Sequence, residues 1–172
     1  KLHQPGLGSE YLNKLNVGDV FKARMVINAS FHQPKNQAIA MIGNGTGIAP
    51  FLGMIAQSTK KSDNRLYIGF RKETEVIKKH KVFLDQQVEN KKLKSYQIAF
   101  SREQNHCYVM DLIRNDAQHL AQLLKDGGVV MICGSLLMQQ DVEKVLNEIC
   151  TEINGYNLTF YKEKGQLLTD CY

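Results

Sequence analysis

The sequence predicts an α/β domain built on a mostly parallel sheet, and three observations support that class. Short, wholly apolar runs recur along the chain, as is typical of strands buried on both faces of a parallel sheet. Amphipathic helical patterns separate these runs, so that strand and helix alternate. A glycine-rich turn at residues 43–47 joins the first run to the first helix of the alternation.

The first 36 residues have a different pattern. Residues 9–15 predict a short helix with Ser9 as its N-cap, and alternating apolar positions in residues 20–27 predict a strand of an antiparallel sheet. Residues 30–37 contain Pro34 and predict a linker. We therefore expect two units: the remnant of a β domain in residues 1–36 and an α/β domain in residues 37–172.

The α/β unit alternates five predicted strands with four predicted helices. The predicted strands cover residues 38–42, 66–70, 96–100, 129–133 and 166–171. The predicted helices cover residues 48–57, 81–89, 109–125, with an irregular middle, and 138–153. The last strand is expected to join the other four in one sheet.

Composition narrows the function classes. The net charge of +5 suits a protein that binds phosphates or an acidic partner, but aromatic and basic residues do not interleave as a nucleic-acid platform requires. No apolar run approaches the roughly 20 residues that cross a bilayer, so we expect no membrane contact from this segment. The four cysteines lack metal-site spacing, which predicts no metal, reduced thiols and a cytoplasmic location. Because the polar N-terminus begins with lysine, we expect a piece of a longer protein.

The sharpest local motif is the run GNGTGIAPF at residues 43–51. It follows a predicted strand and opens a helix, where backbone amides and the helix N-terminus can bind a pyrophosphate. Its spacing matches neither the GxxxxGK[ST] loop nor the GxGxxG fingerprint, and no lysine follows it as a nucleotide hydrolase would require. A tight turn without a ligand remains the alternative reading of this motif alone.

The ends of the other strands carry groups that bind phosphate. Arg71 follows the second strand, Ser101 and Arg102 follow the third, and Cys133 and Gly134 end the fourth. Ligands of open α/β sheets bind beyond the carboxyl ends of the strands, and arginine contacts phosphate through two parallel hydrogen bonds. The sequence therefore predicts a phosphate-rich ligand site at this edge, although each arginine alone could simply face solvent.

These motifs, in this order and spacing, resemble the NADP-binding module of the ferredoxin–NADP reductase superfamily. Within it the chain is similar to the diflavin reductases of the sulfite reductase flavoprotein type. The resemblance rests on residues 43–51, on SREQ at 101–104, on Tyr108 with Val109, and on Cys133 with Gly134. It implies a Rossmann-like, five-stranded parallel sheet with helices on both faces, preceded by the remnant of an antiparallel FAD-binding domain.

The resemblance also implies which residues contact NADPH. The implied set is Gly43, Gly45, Thr46, Gly47, Arg71, Ser101, Arg102, Tyr108 and Gly134. The glycine turn would lie at the pyrophosphate and nicotinamide, and Arg71 at a phosphate. Ser101 and Arg102 would hold the 2′-phosphate, with Tyr108 beside the adenine.

Five more residues acquire implied roles around the flavin. Cys133 would lie beside the nicotinamide in the hydride path, and Asp170 would be the acidic residue near the reacting ring. Tyr172 would stack on the flavin and move aside for the nicotinamide. Gly6 and Ser9 would contact the FAD pyrophosphate, the rest of the FAD site belonging to a preceding domain.

The chain departs from the family pattern at four positions. His106 stands where relatives often have lysine, Asn44 replaces a common proline, Ser135 a common aspartate, and Gln166 a usual arginine. Neutral histidine is a weaker phosphate partner than lysine, so we expect a softened preference for the 2′-phosphate.

The function implied is that of a module in an FAD-dependent NADPH reductase. Hydride would pass from NADPH to FAD, and electrons would then pass to a flavodoxin-like domain or another one-electron acceptor. The segment alone is expected to be inactive, and its location cytoplasmic or at the cytoplasmic face of a membrane through upstream domains. The alternative is a non-catalytic, nucleotide-sensing regulatory domain, which would need none of Cys133, Asp170 and Tyr172.

Overall fold

The fold is organised around a five-stranded parallel sheet, as the sequence predicts. The structure, a computed structural model, describes residues 7–24, 26, 28–35, 37–58 and 63–172. The strand order is β3-β2-β1-β4-β5, and every neighbouring pair is parallel. The strands are β1 (Ile39–Asn44), β2 (Asn64–Phe70), β3 (Ser95–Phe100), β4 (Val129–Gly134) and β5 (Leu167–Cys171).

Seven α-helices are present in the described residues. They are α1 (Leu7–Asn13), α2 (Ile48–Gln57), α3 (Glu75–Glu89), α4 (Val109–Asn115), α5 (Ala117–Lys125), α6 (Leu136–Ile149) and α7 (Leu158–Glu163). A 3₁₀ turn at Gly45–Gly47 links β1 to α2, and a π-helical turn at Cys150–Asn154 extends α6.

The sheet separates two hydrophobic cores. Successive side chains of a strand point to opposite faces, and β1 follows this rule because Ile39 and Met41 join one core while Ala40 and Ile42 join the other. Helices α2 and α3 contribute to the first core, and α4 to α7 contribute to the second. The predicted arrangement with helices on both faces is therefore confirmed.

The position of the helices creates a switch point between β1 and β4. The connections from β1 to β3 run through α2 and α3 on one face, whereas the connections from β3 to β5 run through α4 to α7 on the other. The loops that leave the paired strands β1 and β4 therefore diverge to opposite faces. In open α/β sheets this divergence opens a ligand-binding crevice at the carboxyl edge.

The strand predicted for residues 20–27 is wrong for the part of it that the structure describes. Val20–Arg24 and Val26 form no strand, since no other strand among the described residues lies beside them, and Val20 and Val26 are exposed. Helix α1 begins at Leu7, so Ser9 is not its N-cap. Part of the predicted linker instead packs on the α/β unit, where the Phe31 ring lies 6.1 Å from that of Phe51. The domain boundary near residue 36 stays a prediction.

Helices α3 and α7 differ most from prediction, because side-chain caps, not apolar periodicity, set their starts. Helix α3 begins six residues before the predicted residue 81, where the Thr74 hydroxyl accepts a hydrogen bond from the Ile77 amide at 3.3 Å. Helix α7 was not predicted at all. Its N-terminus is capped by Asn157, whose side-chain oxygen accepts from the Phe160 amide at 3.2 Å.

The irregular middle of the predicted helix 109–125 is a break at Asp116, between α4 and α5. The Asp116 carboxylate accepts a hydrogen bond from the Tyr67 hydroxyl at 2.5 Å and pairs with Arg65 at 3.1 Å. Burial, then the hydrogen bond to Asp116, raises the pKa of Tyr67 well above its ordinary value. This network ties the helix break to β2.

Two features are absent from the described residues. No helix there is both long and apolar enough to cross a membrane. Those residues also contain no group of three or more His, Cys, Asp or Glu side chains that could hold a metal ion. All four cysteines are free thiols.

Candidate functional site

A cleft of about 1090 Å³ lies at the carboxyl edge of the sheet, at the switch point between β1 and β4. It is formed by the segments that follow β1, β2, β3 and β4, together with the last residue of the chain. Seven of the predicted site residues line it: Gly45, Thr46, Arg71, Ser101, Arg102, Tyr108 and Tyr172. Its size is that of a pocket for a small molecule or cofactor.

The glycine turn is pressed against the end of β4. A Cβ atom on Gly47 would lie 2.1 Å from the Cys133 carbonyl oxygen, and one on Gly43 would lie 2.7 Å from the same atom. Gly45 instead has a φ of 54° and faces open space beside exposed Thr46. Gly43 and Gly47 therefore allow the turn to pack closely against β4, and Gly45 leaves the backbone of the turn accessible to a ligand.

The far end of the cleft is a cluster of cations. The β2–β3 pairing continues past both strands, because the Ser101 amide donates to the Phe70 carbonyl at 2.9 Å and the Arg102 amide to the Arg71 carbonyl at 2.8 Å. This backbone pairing brings Arg71, Lys72 and Arg102 to the same part of the cleft. Among the described residues, none of these three cations forms an ion pair. Their charge is therefore available to an anionic ligand.

The cleft wall beside this cluster is the start of α4. The Tyr108 amide donates to the Asp111 carboxylate at 2.8 Å, which fixes the first turn of the helix, and half-exposed Tyr108 lines the cleft. Cys107 also lines it, and burial followed by the charge of Asp111 raises the pKa of its thiol. His106 is bonded through Nδ1 to the Ser101 carbonyl at 2.9 Å and is not among the lining residues.

The near end of the cleft is covered by Tyr172. Its amide donates to the Gly134 carbonyl at 3.0 Å, and its carbonyl accepts from the Leu136 amide at 3.2 Å, so the backbone is anchored at the end of β4. The hydroxyl of Tyr172 forms a hydrogen bond with the Thr46 hydroxyl. The ring, which is 70% exposed, therefore lies across the glycine turn.

Comparison with known proteins agrees with this geometry. The sequence model of a family described as the oxidoreductase NAD-binding domain matches residues 41–144, which run from within β1 through β4 and include most of the cleft. The chain belongs to this family.

The relatives of this chain are much longer reductases, and the chain matches only a part of each. The sulfite reductase [NADPH] flavoprotein alpha-component of Baumannia cicadellinicola is 33% identical over 153 residues, 85% of this chain and 26% of that protein. Human NADPH–cytochrome P450 reductase is 33% identical over 126 residues, 68% of this chain and 18% of that protein. NADPH oxidoreductase A of Dictyostelium discoideum is 32% identical over 155 residues, which are 86% of this chain and 24% of that protein. The chain thus spans about a quarter or less of these relatives' length.

Four predicted site residues of the NAD-binding domain lie behind the cleft and do not line it: Gly43, Gly47, Cys133 and Gly134. Cys133 is buried, and burial, then the charge of Asp170, raises the pKa of its thiol to about 11. The thiol is therefore neutral near pH 7 and cannot act there as a thiolate. Gly134 has a φ of 144°, and a Cβ on it would lie 2.1 Å from the Asn44 side-chain oxygen.

The remaining predicted residues are at or beyond the margin of the described site. Asp170 pairs with Cys133 in the β4–β5 register and is exposed, but it does not line the cleft. Ser9 lies in α1, and Gly6 lies outside the described residues. The roles implied for these three residues stay predictions.

Sequence reasoning missed two kinds of lining residue. Lys72 was not predicted to belong to the site, although its position directly after Arg71 at the end of β2 was a signal for it. Asn44 and Ser135 were noted only as departures from the family, yet both line the cleft and bond to each other. Gln166, a third departure, is buried and donates to the carbonyls of Leu124 and Gly128 at 2.7 and 2.8 Å, which is a structural role.

Proposed function

We propose that this domain binds NADPH and presents the nicotinamide to a flavin in a reductase. The observation that carries the proposal is one continuous cleft with unpaired cations at one end and a tyrosine-covered glycine turn at the other. NADPH is asymmetric in the same way, with the 2′-phosphate on its adenosine half and the nicotinamide ring at the other end. The named relatives, which use NADPH, support the same ligand.

The adenosine half of the ligand is assigned to the cationic end. Arg102 and Arg71 can each give two parallel hydrogen bonds to a phosphate, and Ser101 adds a hydroxyl donor. Lys72 contributes a third positive charge from the same wall. In this arrangement Tyr108 lies beside the adenine, and the additional 2′-phosphate distinguishes NADPH from NADH.

The nicotinamide half is assigned to the end covered by Tyr172. The residues present fit a pyrophosphate there, because the seated glycine turn leaves the backbone of Gly45 and Thr46 accessible. The Tyr172 ring must leave Thr46 before a second flat ring can occupy this position. NADPH supplies the hydride and FAD accepts it, so the protein's task is to orient the rings and exclude water. Cys133 shapes the floor from below as a neutral side chain.

The wider context follows from the same assignment. The flavin would be held by residues outside this domain together with Gly6 and Ser9, and electrons would leave singly to a flavodoxin-like domain or another one-electron acceptor. The cytoplasm stays the predicted compartment. A purely nucleotide-sensing role is less well supported, because a sensor has no need for an aromatic side chain that covers the nicotinamide position.

The test is a calorimetric titration of the chain with 2′-phospho-AMP and with AMP. We expect clear preference for 2′-phospho-AMP, and we expect Arg102→Ala to weaken it by about ten- to hundredfold, since hydrogen bonds to charged groups contribute about 1.5–3 kcal/mol. Arg114→Ala is the matched control, because Arg114 lies on α4, does not line the cleft, and pairs with the exposed carboxylates of Asp111 and Glu148. The site would be refuted if the chain bound neither nucleotide, or if Arg102→Ala and Arg114→Ala weakened the binding of 2′-phospho-AMP equally.

A further inference from the structure

Asn44 and Ser135 join the two loops that diverge at the switch point. The Ser135 amide donates to Asn44 Oδ1 at 3.0 Å, and Asn44 Nδ2 donates to Ser135 Oγ at 3.1 Å. Ser135 is also the N-cap of α6, because its Oγ accepts from the Met138 amide at 3.3 Å. One side-chain pair therefore connects the end of β1 to the start of α6.

The hydrogen-bonding roles of this pair are determined by the backbone. The Ser135 amide can only donate, so the atom of Asn44 that faces it must be the carbonyl oxygen, and the other Asn44 atom must be the amide nitrogen. The amide group is also confined in space, because Oδ1 lies 2.1 Å from the position that a Cβ on Gly134 would take. Asn44 thus presents a donor, not an acceptor, to the Ser135 hydroxyl.

This arrangement uses both acceptor sites of the Ser135 hydroxyl. A serine hydroxyl has two lone pairs and one hydrogen, and the lone pairs accept from Asn44 Nδ2 and the Met138 amide. In the part of the chain that the structure describes, Ser135 Oγ has no hydrogen-bond acceptor for its own hydrogen. Since Ser135 lines the cleft, that hydrogen is available to a ligand.

We propose that Ser135 donates a hydrogen bond to an oxygen on the nicotinamide-nucleotide half of the ligand, and that Asn44 is the positioning residue that keeps the hydroxyl a donor. The inference rests on the proposed function. It assigns Ser135 to this half because Ser135 is adjacent to Gly134 and Leu136, which hold the backbone of Tyr172. The cations that mark the adenosine half follow β2 and β3 instead.

The experiment compares two ligands in four variants. Dissociation constants of NADP⁺ and 2′-phospho-AMP are measured by calorimetry for chains with Ser135→Ala, Ser135→Thr, Asn44→Asp, and Asn44→Asp with Ser135→Ala. All are made in a Tyr172→Ala background, which removes the ring over Thr46 but keeps the backbone bonds of residue 172. Thermal unfolding is recorded for each, so that binding is compared only between folded chains.

We expect Ser135→Ala to weaken the binding of NADP⁺ by about three- to tenfold, the effect of one hydrogen bond, and to leave the binding of 2′-phospho-AMP unchanged. Ser135→Thr, which keeps the hydroxyl, should restore NADP⁺ binding. The aspartate of Asn44→Asp still accepts from the Ser135 amide, but its second oxygen accepts the hydroxyl hydrogen and turns it away from the ligand. Asn44→Asp should therefore weaken NADP⁺ binding when Ser135 is present, and much less when Ser135 is replaced by alanine. Such non-additivity would distinguish the loss of the hydroxyl donor from the effect of the negative charge that aspartate adds, because the charge acts whether or not Ser135 is present.

Four outcomes decide between these possibilities. An equal loss of both ligands in Ser135→Ala would indicate a structural role and overturn the inference, as would additive effects of the two substitutions. Failure of the background chain to bind 2′-phospho-AMP would instead overturn the proposed function. Selective, non-additive loss of NADP⁺ supports the assignment of Ser135.

Discussion

Gly47→Ala tests the claim that the nucleotide site depends on close contact between the glycine turn and β4. The new Cβ would lie 2.1 Å from the Cys133 carbonyl oxygen, 2.6 Å from its carbonyl carbon and 2.9 Å from the Gly134 nitrogen. All three are backbone atoms of the sheet, so no flexible side chain can yield. Restoring an ordinary contact of 3.4 Å requires a shift of about 1.3 Å between the turn and β4.

Overpacking of this kind costs about 1–3 kcal/mol in the free energy of unfolding. For a chain of this length we expect the melting temperature to fall by about 2–12 °C. Because the displaced turn would carry Gly45 and Thr46 with it, NADP⁺ binding should weaken further than stability alone explains. Circular dichroism melts and calorimetric titrations measure the two effects.

Gly53→Ala is the matched control for this prediction. Gly53 lies in the same α2 region, is exposed, and has no atom within 4 Å of a built Cβ. Alanine in a helix interior is more stable than glycine by about 0.5–1 kcal/mol, so this variant should melt higher by about 1–4 °C. If Gly47→Ala matched Gly53→Ala in melting temperature and bound NADP⁺ normally, the packing argument would be refuted.

Two further predictions concern groups outside the cleft. Tyr67→Phe removes a partly buried hydrogen bond to the Asp116 carboxylate and should lower the free energy of unfolding in urea by about 1.5 kcal/mol. An unchanged value would mean that the network does not stabilise the helix break. Burial raises the thiol pKa of both Cys133 and Cys150 from 9.0 to about 11, so the folded chain retains protons that the unfolded chain loses. Stability should therefore be complete below pH 9 and fall between pH 9 and 11. Urea unfolding across this range should show a shallower fall with both residues changed to alanine, and an equal fall would contradict the assignment.

The sheet could be predicted from sequence because its strands are buried on both faces. Every residue of β4 is buried, so hydrophobicity alone marked the strand without any need for alternation. Helix α2 was predicted at its observed bounds, since the glycine turn fixes its start and an apolar face runs along it. Two of the three cations in the cleft, Arg71 and Arg102, were predicted from the residues that directly follow β2 and β3.

Other features could not be read from local patterns. Asn44 and Ser135 are 91 residues apart, and no periodicity connects an asparagine in one loop to a serine in another. The strand predicted for residues 20–27 had the right alternation, but a strand also needs a neighbour with which to share its hydrogen bonds. In the first two turns of α3 only Ile77 is buried, so apolar periodicity is weak there and the cap at Thr74 marks where the helix begins.

The switch point has a consequence for the order in which the protein acquires its site. β1 leaves the ribosome early, yet its partner β4 and the cap of α6 follow only after the chain has crossed to the other face of the sheet. Until β4 is in place, Gly47 cannot pack against the Cys133 carbonyl, and Asn44 cannot form its hydrogen bonds with Ser135. A chain that ends before β4 therefore has β1, β2 and β3 but lacks the strand that completes the nucleotide cleft. Because the ligand binds only the completed arrangement, it stabilises the whole α/β unit by mass action, and its binding distinguishes finished molecules from partly folded ones.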